Sequence, residues 1–195
     1  MDSATGAKVS PEIVAVPYTI DPAKSRFTVR AFATGLLSGL GHNPIIGIRD
    51  FSGRISFTPD NLTDTFMNFT VKADSLAVQN DVSDKDRREI ERIMKADVLQ
   101  VQQFPDVEFE TRQVSGMRMG ETLYVAKVEG DLSLHGVTRR QTITAQVIPG
   151  DDSVRAYGEF VLKQTDFNIK LVSVAGGALK VKDELKFSFD IVARK

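Results

Sequence analysis

The sequence predicts an all-β protein: a single antiparallel barrel of eight strands, with one substantial helix near residues 84–100. Three observations carry this reading. Apolar and polar residues alternate with period two in segment after segment. Turn-forming clusters separate these segments at regular intervals. Only one stretch switches to spacings of three and four, the signature of an amphipathic helix.

The segments follow in chain order. Residues 1–16 mix small, polar and apolar types without period and read as a flexible arm; residues 17–195 read as one domain. SRFTVRAFA, from Ser25, sets Phe27, Val29, Ala31 and Ala33 on one side and Arg26, Thr28 and Arg30 on the other. GLLSGLGHNP, residues 35–44, is rich in glycine and reads as a loop. RDFSGRISF aligns Phe51, Ile55 and Phe57, with Gly53 on the same face as a bulge or a close backbone approach. TFMNFTVKA aligns Met67, Phe69 and Val71.

SDKDRREIERIMKADVLQV, residues 83–101, breaks the rhythm with Ile90, Ile93, Met94, Val98 and Val101 on one stripe. Ser83 followed by Asp86 is an N-cap pattern. A helix with one apolar stripe covers something, here the open end or side of a sheet.

Strands resume with VEFETRQ, and SGMRMGE (115–121) reads as a hairpin turn. Tyr124, Ala126, Val128, Gly130, Leu132 and Leu134 form one face; Ile143, Ala145 and Val147 form the next. After IPGDDS come Ala156, Gly158, Phe160 and Leu162, and then Leu185, Phe187, Phe189 and Ile191. Eight antiparallel strands close naturally into a barrel without exposed edges, its lumen filled by side chains or holding one slender ligand. A sandwich is the competing architecture.

Composition narrows the function. The chain has 195 residues with 25 basic and 26 acidic side chains, so no net field favours nucleic acid. Twelve phenylalanines accompany three tyrosines and no tryptophan, supplying apolar area without polar tips. Cysteine is absent, which excludes disulfides and thiolate chemistry. Two scattered histidines make a zinc site unsuitable, so neither metal nor cofactor is expected. No apolar run approaches the roughly 20 residues of a spanning helix, so no stable membrane insertion is expected. MDSATGAKVSPEIVAVP lacks the regions of an intact secretory signal. The compartment is cytoplasmic if this N-terminus is native and periplasmic if a signal has been removed.

No G-x-S-x-G, P-loop, H-E-x-x-H or G-x-G-x-x-G occurs, and the paired carboxylates fall in turns or on outward strand faces. The expectation is a binding protein and not an enzyme. GDLSLHGVTRRQTITAQV, from residue 130, is the most distinctive stretch: two alternating segments meet at His135-Gly136. The pair either turns the chain, with Gly136 in a conformation larger residues resist, or offers the imidazole to a headgroup. Arg139 and Arg140 either face solvent or reach an anion.

Four islands together resemble one family. YTIDPAKSRFTV (18–29), DFSGRISF (50–57), MKADVLQVQQFPDVEFE (94–110) and GDLSLHGVTRRQTI (130–143) resemble, in this order, motifs of the YceI-like, polyisoprenoid-binding family. The last is the most specific. ADVLQ stands where many members carry a paired-Phe segment, and GLLSGLGHNP resembles a histidine-bearing subset. The resemblance implies a lipocalin-like barrel whose lumen holds a long isoprenoid or a similar fatty-chain lipid, as carrier or reservoir, and many members are periplasmic. The candidate lining residues are Phe27, Phe51, Phe57, Phe69, Leu132, Leu134, Phe160, Leu162, Phe187 and Phe189. Met94 and Phe104 are expected to close one end, and His42 to orient a headgroup at the mouth. The small residues Gly53, Gly130, Ala156 and Gly158 would leave space between the large ones. The alternative is a solid core in a protein–protein interaction module. The sequence also leaves room for a homodimer.

Overall fold

The structure is a computed structural model and describes residues 16–34, 43–58 and 61–195. Residues 1–15 of the expected arm and His42 lie outside the described residues, whereas Val16, the last residue of that arm, already pairs with Phe57 in a strand. The chain forms β1 Val16–Ile20, β2 Arg26–Arg30, β3 Ala33–Thr34, β4 Ile45–Gly47, β5 Phe51–Phe57, β6 Phe66–Lys72 and β7 Ala77–Val78. The helix α1, Asp84–Ile93, then continues into a π turn over Met94–Val98. Next come β8 Asp106–Arg118, β9 Tyr124–Leu134, β10 Val137–Pro149, β11 Ser153–Lys163, β12 Ser173–Val174, β13 Leu179–Val181 and β14 Glu184–Arg194.

Eight strands close a barrel in the order β1-β5-β6-β8-β9-β10-β11-β14, and β14 pairs back onto β1. All neighbours are antiparallel. β14 serves two strands on one side. Ala193 and Arg194 pair with β1, whereas residues 186–190 pair with β2. The sheet therefore splits toward the C-terminal end of β14, and β2 carries a flap of β4 and β7. A second sheet of three short strands, β12-β13-β3, stands beside this flap.

The helix begins where its cap dictates. Ser83 Oγ accepts from Asp86 N at 3.1 Å and donates to the Asp86 carboxylate at 2.7 Å, a pattern worth about 1 kcal/mol. Regular α geometry stops at Ile93, several residues before the expected end. Leu99 N reaches back five residues to Met94 O at 2.8 Å, which makes the wider π turn. Gln100 then takes φ +48° and ends the helical path.

His135-Gly136 is a two-residue hairpin turn between Leu134 and Val137. Both residues have positive φ, +52° and +74°, as the twist-matched turn of a tight hairpin requires. His135 Nδ1 donates to the Phe167 carbonyl at 3.2 Å, and the Phe104 ring packs on the imidazole at 4.6 Å. The turn reading is therefore the correct one. A Cβ on Gly136 would lie 2.6 Å from Phe104. Gly136→Ala should cost about 1–2 kcal/mol from the left-handed backbone alone, with more for the displaced ring, and should lower the urea midpoint.

The two arginines are exposed ties, Arg140 on the outer face beside Asp131 and Arg139 in register with Leu132. Arg140 Nε and Arg112 Nε each donate to Asp131, both at 2.7 Å, and the hydrogen bond from Arg112 leads in holding that carboxyl below its usual range. Arg139 Nε donates to Asp166 O at 3.1 Å. The expected turn at 115–121 is displaced: β8 runs to Arg118, and Met119 N pairs with Leu123 O at 2.7 Å. Met117 and Met119 are exposed on this projecting ribbon.

Candidate ligand-binding site

The inward faces of the strands do not meet at the barrel centre. They enclose a cavity of about 580 Å3 that runs from Phe57, Leu62, Val114 and Val154 at the base to the helix at the other end. This volume falls within the roughly 300–1,000 Å3 of typical ligand pockets. Its opening can be read from exposure. Phe27, Val128, Leu132, Ile143, Phe160, Phe187 and Phe189 point into the barrel yet are only half-buried, because the lumen leaves one side of each uncovered.

One side of the tunnel is aromatic. Phe27 on β2 stacks on Phe69 at 5.5 Å and on Phe189 at 6.1 Å, and meets Phe187 edge-on at 6.3 Å. Phe160 on β11 stacks on Phe187 at 4.8 Å. Such offset and edge contacts stabilise each ring pair by about 0.5–1.5 kcal/mol beyond burial and hold the wall in place. β9 and β10 supply an aliphatic side with Val128, Leu132, Ile143 and Ala145.

The mouth is framed by α1 and the flap. Ile90, Ile93 and Met94 face the cavity, and the π turn adds Val98, with Leu99 following. Val29, Ile46 and Val78 form a buried cluster beneath, against which Ile90 and Met94 pack. Two side chains fasten the helix to the flap edge. Glu91 Oε1 accepts from Val78 N at 2.9 Å; Arg87 donates to Val78 O and, at 3.2 Å, to Asn80 O. The outer backbone groups of this edge residue are thereby satisfied by the helix, which covers an edge that would otherwise recruit another strand. Among the described residues, no helix is long and apolar enough to cross a membrane. No group of titratable residues among them is arranged to hold a metal ion.

Of the sequence candidates, Phe27, Phe57, Phe69 and Met94 border the cavity, as do Leu132, Leu134, Phe160, Leu162, Phe187 and Phe189. Two do not, and the expectations of Phe51 as a lining residue and of Phe104 as a closure of one end are corrected. Phe51 is buried behind the lining, its ring 5.6 Å from Phe69. Phe104 covers the His135-Gly136 turn and so packs on the hairpin instead of closing the tunnel.

The glycines also behave differently from expectation. A Cβ on Gly130 would lie 2.3 Å from the tip of Phe109, so the space over Gly130 belongs to that ring and not to a ligand. Space is left by alanines instead: Ala126, Ala145 and Ala156 border the void. Sequence reasoning missed Ile48, Val172 and Val181, which reach the cavity from short or irregular segments without periodicity. It also missed the polar lining residues Thr65, Thr111 and Gln164, which carry no motif.

A closed eight-stranded antiparallel barrel with an elongated apolar lumen and a helix at its mouth is a lipocalin-like fold. The chain belongs to the YceI-like family, whose YceI-like domain matches residues 18–193. It is 31% identical to the protein YceI of Escherichia coli over 166 residues, covering 80% of this chain and 78% of that one. It is 32% identical to a UPF0312 protein of Enterobacter sp. (strain 638) over 165 residues, with 80% and 77% coverage. Among solved structures, BcnA of Burkholderia cenocepacia is similar at TM-score 0.68 and 18% identity, covering 89% of this chain and 98% of that chain. A polyisoprenoid binding domain from Saccharophagus degradans, implicated in plant cell wall breakdown, is similar at TM-score 0.67 and 13% identity, with 93% and 98% coverage. At these identities the structural likeness is one of fold.

Proposed function

We propose that this protein binds a long-chain isoprenoid or similar amphipathic lipid in the barrel lumen, as a carrier or reservoir. The observation that carries the reading is the void of about 580 Å3 between the aromatic and aliphatic walls. Family membership supports it, and so does the structural likeness to a polyisoprenoid binding domain. Binding would be driven by apolar area. At about 25 cal/mol per Å2, a chain burying several hundred Å2 gains on the order of ten kcal/mol gross, which lost translational and conformational freedom then reduces. Phe27, Phe69, Phe160, Phe187 and Phe189 would grip the chain, and α1 would cover it. A solid-core interaction module predicts a plugged lumen, and the void argues against it.

Native mass spectrometry of gently purified protein, followed by organic extraction, tests the proposal. The expected result is a one-to-one lipid adduct, or one-to-one uptake of an added polyprenol. A clean unliganded mass with no uptake would contradict it.

A further inference from the structure

The base of the tunnel is not purely apolar. Thr65 borders the cavity just before β6, and its hydroxyl oxygen is fully buried with no hydrogen-bond partner. Its backbone N–H is already committed to Leu62 O at 3.1 Å. Buried polar groups are nearly always paired, so an orphan of this kind calls for an explanation. Thr111, also in the lining, is only 5% exposed. Its oxygen accepts from Met67 N at 3.2 Å, just where the β6–β8 ladder ends and a bulge separates Thr111 from Gln113. That bond uses the oxygen of Thr111 and leaves its hydroxyl proton uncommitted. Thr65 lies two residues from Met67, about 7 Å along an extended chain, so both hydroxyls belong to the lower part of the tunnel.

The charged residues of the lining lie elsewhere. Asp86 is on α1, Lys180 is on the small sheet by the mouth, and Glu108 is near the start of β8. An ionised group at the base would have no counter-charge among these residues, and burying one unpaired is strongly unfavourable. A neutral oxygen atom would instead complete the hydroxyls' bonding.

We propose that the base of the lumen is a polar subsite in which the Thr65 hydroxyl, turned into the void by rotation about χ1, binds a neutral carbonyl or hydroxyl oxygen at the leading end of the lipid. This rests on the reading that the lumen binds lipid, and it adds an orientation. The oxygen-bearing end lies deepest, and the hydrocarbon extends toward the helix.

The test compares 2-hexadecanone with hexadecane, two chains of equal length differing in one carbonyl. Each is titrated against a fluorophore displaced from the lumen. The wild type should prefer the ketone by roughly fivefold, as one net hydrogen bond implies. Thr65→Val, which keeps the shape and removes the hydroxyl, should bring the ratio to about one, and Thr65→Ser should retain the preference. Because the hydroxyl is unpaired in the empty protein, Thr65→Val should also melt slightly higher without ligand. The infrared carbonyl band of bound 2-hexadecanone gives an independent readout in the wild type, and it should shift to lower frequency. A ketone preference that survives Thr65→Val, or a bound carbonyl band at its position in alkane solvent, would overturn the subsite while leaving lipid binding intact. Failure of both probes to bind would overturn the lipid reading and the subsite together.

Discussion

Ala156→Phe should weaken lipid uptake at least tenfold and at the same time raise the melting temperature. Ala156 on β11 borders the cavity, between Val147 of β10 and Ile191 of β14 in the strand register. It is half-buried although it points into the barrel, because nothing fills the space before it. A benzyl group there would enter the void between the two walls. Filling part of 580 Å3 with a ring should weaken binding of a polyprenol at least tenfold, since the chain and the ring compete for one narrow section. The folded protein gains the buried ring, worth up to about 1.5–3 kcal/mol, or several degrees in a chain of this size. A solid core predicts the opposite sign, because overpacking costs about 1–3 kcal/mol. Thermal melts and polyprenol titrations of the variant read both quantities.

Glu91→Ala should loosen the helix over the mouth and speed ligand release. Glu91 is the acceptor for Val78 N, and Val78 is 1% exposed, so the truncated variant strands a buried donor. Such a loss costs about 1–3 kcal/mol. It falls on the contact that ties α1 to β7, so it should favour local opening of the helix over global unfolding. Amide exchange in α1 should rise at least about fivefold, the lower end of that range, and the dissociation rate of a bound polyprenol should rise with it. Glu91→Gln keeps an acceptor oxygen and should stay close to wild type. Unchanged exchange in α1 of Glu91→Ala would show that the tie does not hold the helix closed.

Much of this architecture is legible in the sequence because burial on one face imposes period two. Phe27, Phe69, Leu132, Phe160 and Phe187 all announce their direction by alternation, and the helix announces itself by Ile90, Ile93 and Met94. The His135-Gly136 turn is legible because few residue pairs accept two left-handed conformations in succession. What the sequence hides is local and steric. Nothing near Gly130 says that the ring of Phe109 fills its space, or that Phe51 sits behind Phe69. SGMRMGE has the composition of a turn, but backbone pairing carries the hairpin beyond it to residues 119–123. The small sheet β12-β13-β3 has strands of two or three residues, too short for any period to register. Thr65 and Thr111 stay silent as well, because one hydroxyl in an apolar face looks the same whether its partner is protein or ligand.

The central claim is that the lumen is a dry, accessible channel that receives an apolar chain. Methyl-labelled protein titrated with a long-chain polyprenol and followed by NMR tests it most directly, because lumen and surface methyls alternate along the same strand. The methyls of Leu132, Ile143 and Leu162 should shift strongly, whereas Val161, whose side is 54% exposed on the outer face of the same strand as Leu162, should not. Shifts confined to Val161 and the exposed Met117 and Met119, with the lumen methyls unmoved, would contradict the account.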